Sequence, residues 1–133
     1  MSLFVDQSRD ALRAAWRTAW QRATQGQPLE PLQAQMAALI DAHPEYHPQL
    51  AAGASETEGD FYLHLGLHMA LREQLGTDRP VGIRALHQRL TRRGTAHEAE
   101  HRLMEVLGEM LWQAQRTGHP PDERSYWEAL QRL

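Results

Sequence analysis

Histidine is the residue type in this sequence whose number and spacing most strongly suggest chemistry. Six of the eight histidines form three pairs whose members are four positions apart. Residues with this spacing on an α-helix lie on the same face, where two imidazoles can bind one metal ion. The pairs are His43 with His47, His64 with His68, and His97 with His101. Their recurrence in one short chain predicts a metal site.

The central pair falls on the apolar face of its predicted helix. At about 100° per residue, His64 and His68 share that face with Phe61, Leu71 and Leu75, so we expect both imidazoles to point into the core. A buried polar group without a partner costs about 1–3 kcal/mol. Each ring therefore needs either a hydrogen-bond partner or a metal ion, and the sequence leaves both readings open.

The third pair lies in HEAEH and formally matches H-E-x-x-H, the signature of zinc metalloproteases. Thr95 and Glu98 also form a capping box at the start of the same helix, which would occupy the glutamate needed as general base. Glu100 falls within the apolar arc of this helix. We therefore expect His97, Glu100 and His101 to lie nearer to a metal than Glu98.

The first pair stands at a helix end. His43 continues the apolar stripe of its helix, whereas His47 follows Pro44, where a histidine can also interact with terminal carbonyls. We expect this pair to bind the metal or to neighbour its ligands. The full candidate ligand set is His64, His68, His97, His101, Glu100, His43 and His47. Imidazole and carboxylate suit zinc, iron, nickel or manganese, and the spacing does not choose among them.

Helical spacing of apolar residues recurs along the chain, and no segment shows the alternation of a strand. We predict an all-α fold, an irregular bundle of five to six helices, in a single domain over residues 1–133. The predicted helices cover about 6–25, 31–43, 60–75, 80–93, 96–117 and a short final segment after Asp122. The small and acidic residues of AAGASETEG predict a loop over 51–59.

Composition limits the classes of function. The net charge of −3 disfavours a nucleic-acid binder, which needs a basic face. There is no cysteine, and neither a secretory signal nor an apolar stretch long enough to span a bilayer is evident. We therefore expect a cytoplasmic protein that binds neither nucleic acid nor membrane.

Two further functions compete with simple metal binding. The chain could be a small non-catalytic interaction or regulatory module, with core histidines as structural links and a protein partner or a second copy of itself as ligand. It could also be a metallohydrolase that uses His97, Glu98 and His101. The sequence identifies no catalytic residue beyond that formal motif and does not decide whether the protein is an enzyme.

Four stretches together resemble a known family: HPEYH, HLGLHMALREQ, RPVGIRALHQRL and HEAEHRLMEVLGEMLWQAQRTGHPPD. They are similar to domain-of-unknown-function family 1841, a group of short bacterial proteins. The resemblance extends from SRDALRAAW to the final helix, and LGEMLWQAQR with the following PPD is its most specific part. It implies a helical protein built around these histidine-bearing helices, and it implies no activity.

Overall fold

The computed structural model describes residues 2–51 and 61–133, and for residues 2–10 it describes the backbone alone. This part of the chain contains seven α-helices and a 3-10 helix, Pro44–Tyr46. The α-helices are α1 (Ser2–Thr24), α2 (Pro31–Asp41), α3 (His47–Ala51), α4 (Phe61–Thr77), α5 (Ile83–Thr91), α6 (Ala96–Thr117) and α7 (Glu123–Gln131). The all-α class is confirmed, but the predicted count of five to six helices is too low.

The additional helix, α3, follows from how Pro44 interrupts the chain. A proline disfavours the helical conformation of the residue before it, and His43 adopts φ −128° and ψ 69°. Helix α2 therefore ends, and the chain resumes with the 3-10 turn and then α3. Positions 52–59 of the predicted loop lie outside the described residues. Position 51 is described, and Ala51 is the last residue of α3.

The chain forms two compact units, Met1–Leu65 and Gly66–Leu133, and the division falls within α4. In the first unit, α1 packs against α2. Leu12 and Leu32, which the helical stripes predict as inward-facing, are each 57% exposed. Among the described side chains of the two helices, the first buried residues lie one turn later, at Trp16 and Met36. The prediction of a single domain stays a prediction.

The second unit has a core built from α4, α5, α6 and α7, with α6 packed against both α5 and α7. Its fully or nearly fully buried members are Leu71, Ile83, Leu86, Leu90, Ala99, Leu103, Met104, Leu107, Tyr126 and Leu130. Burial of this apolar surface is the main force that holds the helices together. None of the described helices combines the length and apolar character needed to cross a bilayer.

Local sequence signals explain where the helices of the second unit begin and end. The Thr95 side chain accepts a hydrogen bond from Glu98 N at the start of α6, and Gly118 ends that helix with φ 74°. Helix α5 starts at Ile83, later than predicted, because Gly82 before it has φ 103°. A Cβ at Gly82 would lie 2.7 Å from Cη2 of Trp127, so the indole packs directly on the backbone.

Replacement of Leu103 by alanine tests the core. Leu103 has no exposed surface, and its truncation leaves a cavity in the core of the second unit. We expect Leu103→Ala to lower the free energy of unfolding by about 2–5 kcal/mol in urea denaturation. Leu111 lies on the same helix but is 40% exposed, so Leu111→Ala should cost less than about 1 kcal/mol. Equal losses would contradict the assignment of the core face.

Because of Tyr126, the stability of the second unit should decrease at high pH. Its hydroxyl donates to Gln74 Oε1 at 2.7 Å, and burial raises the pKa of Tyr126 to about 12. The unfolded phenol titrates near about 10, so the unfolded state loses its proton first. Above pH about 10 the free energy of unfolding should therefore fall, until the folded phenol also ionises near 12.

The measurement is the free energy of unfolding as a function of pH, compared with Tyr126→Phe. The variant lacks the phenol, so the part of the high-pH loss that Tyr126 causes, on the order of 1–3 kcal/mol, should be absent. Parallel pH dependences for the two proteins would contradict this assignment.

Candidate metal centre

The first unit brings His43 and His64 together. His43, just beyond the end of α2, is 2% exposed, and its Nδ1–H donates to the carbonyl of Leu39 at 2.8 Å. Its other nitrogen, Nε2, lies 3.1 Å from Nε2 of His64 on α4. The Tyr46 ring stacks on His43, with ring centroids 5.3 Å apart and planes inclined by 11°. His43 is therefore fixed at one nitrogen and along one ring face.

His47, the second member of the first predicted pair, has a different neighbour. Its Nε2 is bonded to the carbonyl oxygen of Ile40 at 2.9 Å, close to the end of α2. Its ring also lies near Trp20, with centroids 6.1 Å apart. The break at Pro44 removes the continuous helix that would have placed His43 and His47 on one face. The structure thus pairs His43 with His64, whereas His47 caps a main-chain carbonyl.

The second unit brings His68 and His101 together across α4 and α6. His68 has no exposed surface, and its Nε2 lies 3.0 Å from Nε2 of His101. On the other side of the ring, Nδ1–H donates to Oε1 of Glu100 at 2.9 Å. A carboxylate only accepts hydrogen bonds when ionised, so the proton of a neutral His68 lies on Nδ1 and its Nε2 carries a lone pair.

Glu100 is a buried carboxylate with two donors. It is 6% exposed, and the same oxygen, Oε1, accepts from His68 and from Nε of Arg72 at 3.0 Å. Burial by itself would raise the pKa of Glu100. The hydrogen bonds from His68 and Arg72 outweigh it, so the pKa is lowered from its ordinary value. The carboxylate is therefore ionised at neutral pH, and its two hydrogen bonds offset the cost of burying the charge.

Arg72 is the residue of this group that sequence reasoning missed. The helical wheel predicts that Arg72 points away from the histidine face, and its side chain is 42% exposed. Its guanidinium nevertheless reaches Glu100, because a long side chain can lie along the helix surface while its head group bends inward. The available signal was its position four residues after His68, one turn further along α4.

His97 and Glu98 complete the H-E-x-x-H segment at the start of α6. The His97 ring lies edge-on to His101, with centroids 4.2 Å apart, and 5.2 Å from the ring of His68. Glu98 is exposed, and its backbone N–H is capped by Thr95. The carboxylate that meets the histidines is that of Glu100, and the motif's own glutamate faces solvent.

Four of the described histidines, His43, His64, His68 and His101, can each offer a ring nitrogen to a metal ion, and His43 and His68 are buried. Helix α4 carries His64 and His68 one turn apart, and each has a facing imidazole in its own unit. The protein is therefore helical, with buried histidines that could bind a metal.

Removal of the Glu100 carboxylate should destabilise the metal-free protein. Glu100→Ala leaves the Nδ1–H of a fully buried His68 without its acceptor, so we expect a loss of about 1–3 kcal/mol in the free energy of unfolding. Glu105 lies on the same helix and is exposed, so Glu105→Ala is the control and should change stability by less than about 0.5 kcal/mol. Urea denaturation of chelator-treated protein gives both values, and similar losses would refute a buried ion-pair role.

Comparison with known proteins gives one relationship. Neither a curated protein nor a solved structure matches the chain. The family described as Domain of unknown function (DUF1841) matches residues 8–132, which is nearly the whole sequence. The resemblance seen in the histidine-bearing stretches is thus confirmed, and the chain belongs to the DUF1841 family.

Proposed function

We propose that the protein binds divalent transition-metal ions at its two facing pairs of imidazoles, through the Nε2 atoms of His43 and His64 in the first unit and of His68 and His101 in the second. The observation that carries this proposal is the facing of imidazole nitrogens in each unit, at 3.1 Å and 3.0 Å. Two ligands, each about 2.0–2.1 Å from a tetrahedral zinc ion, lie about 3.3 Å apart. The observed separations are close to that value, so little movement would admit an ion.

Each pair of histidines can bind an ion by itself. In both pairs one histidine lies on α4 and the other on a different segment of the same unit, and the two Nε2 atoms face each other. Two imidazoles would supply two of the four ligands of a tetrahedral ion, and water would complete the coordination shell.

The ligand chemistry narrows the choice of metal. All four donors are neutral imidazole nitrogens, which suit zinc, iron and nickel, whereas manganese prefers carboxylate and water oxygens. Each proposed ion would link two segments of its own unit and so stabilise the fold. The proposal does not require the protein to be an enzyme.

Zinc uptake tests the proposal. Protein purified without a histidine tag and stripped with chelator should take up about two equivalents of zinc, one for each facing pair of histidines, measured by elemental analysis after dialysis. At a free zinc concentration of about 100 times Kd, binding should add about 2.7 kcal/mol to the free energy of unfolding. Uptake below about a tenth of an equivalent would reject the proposal and favour the interaction module, with the histidines as core links.

Single histidine variants locate the ions taken up. His68→Ala and His101→Ala should each lower uptake by about one equivalent and reduce the zinc-dependent rise in melting temperature, because each removes a ligand of the second unit's pair. His119 is exposed and bonded within its own turn to the Thr117 carbonyl, so His119→Ala should leave both values unchanged. A loss of uptake in His119→Ala but not in His68→Ala would place the metal elsewhere.

A further inference from the structure

His68 is held on the side of its ring that faces away from its imidazole neighbour. Nδ1 and Nε2 point to opposite sides of the ring, and here Nδ1–H donates to Glu100 while Nε2 meets His101. The contact with Glu100 keeps the proton on Nδ1, so Nε2 carries the lone pair that faces His101. An ion at Nε2 would consequently lie across the ring from the carboxylate.

The same arrangement recurs at His43 with a different acceptor. There Nδ1–H donates to the Leu39 carbonyl, and Nε2 meets His64. A carbonyl oxygen, like a carboxylate, only accepts, so it selects the same tautomer. In both buried histidines, Nε2 therefore carries the lone pair. The acceptor of the Nδ1 proton is a main-chain carbonyl at His43 and the Glu100 side chain at His68.

We propose that Glu100 is a positioning residue, which fixes the tautomer and orientation of His68 for metal binding, and not a metal ligand. This inference rests on the proposed function. The sequence alone had placed Glu100 among the ligands, but its Oε1 is already shared by His68 and Arg72. Carboxylates in this position behind a ligating histidine raise the basicity of the ring and hold its plane.

Arg72 has a supporting part in the same contact. Its Nε donates to Oε1 of Glu100, so the carboxylate is fixed from the solvent side as well as from His68. The positive charge also compensates the carboxylate, which would otherwise be a costly buried anion. The order of contacts is therefore Arg72, Glu100, His68, with the proposed ion beyond Nε2.

The test combines zinc affinity with the tautomer of His68. Affinity is measured by competition with a chromogenic chelator for the wild type and for Glu100→Met, Glu100→Gln and Glu105→Met. Methionine keeps the length of the side chain but is only a weak, uncharged acceptor, so Glu100→Met should bind zinc about 10–100-fold more weakly. Glutamine can still accept through Oε1 and should lose less, and the exposed Glu105→Met should match the wild type.

Nitrogen NMR of the imidazoles provides a readout that a merely structural role would not change. In the metal-free wild type His68 should carry its proton on Nδ1, and in Glu100→Met a substantial fraction should shift to the Nε2–H form. A wild-type His68 protonated on Nε2 alone overturns the inference without any variant, so the test survives if Glu100→Met fails to fold.

The outcomes separate this inference from the proposed function. A wild type that binds no zinc rejects the metal site itself. A wild type that binds zinc with the same affinity as a folded Glu100→Met retains the metal site and overturns only the positioning role of Glu100.

Discussion

Two histidine rings are buried in the part of the chain that the structure describes, and the need to satisfy both nitrogens of each ring constrains the surrounding structure. His68 has no exposed surface and His43 is 2% exposed. Each buried imidazole has two polar atoms, and an unmatched one would cost about 1–3 kcal/mol. This requirement accounts for the carboxylate of Glu100 on an otherwise apolar helix face. In the turn that Pro44 imposes beyond α2, the Leu39 carbonyl meets the same requirement for His43.

The two rings solve this problem in the same manner, and the solution has chemical consequences. One nitrogen is bonded to an oxygen that can only accept, and the other is turned toward a second imidazole. A core histidine serving packing alone could as well have met a hydroxyl or an amide. The use of imidazole as the partner at both rings produces pairs of neutral nitrogen donors, which suit zinc, iron and nickel.

The helical spacing of apolar residues, together with capping residues, glycines and prolines, predicted most of the helices, because these signals act between residues that are close in the sequence. The predicted limits of α6 agree with the observed helix, because Thr95 and Gly118 mark its two ends. The helical wheel of α4 also predicted that His68 points into the core. Contacts between distant segments could not be predicted in this way. The sequence paired His43 with His47 by spacing, but Pro44 breaks the helix and His43 meets His64. Likewise, the wheel directs Arg72 outward, and only the flexibility of its side chain lets it reach Glu100.

The close approach of Trp127 to Gly82 has a consequence for how this chain can vary. The indole of α7 occupies the volume where any other residue at position 82 would place its first carbon, and the backbone there has a φ of 103°. A side chain at this position would displace the indole and also strain the turn. The residues at these two positions, 45 apart in the sequence, therefore restrict each other's substitution. A mutational library that diversifies the turn before α5 must vary the ring-bearing position of the last helix at the same time.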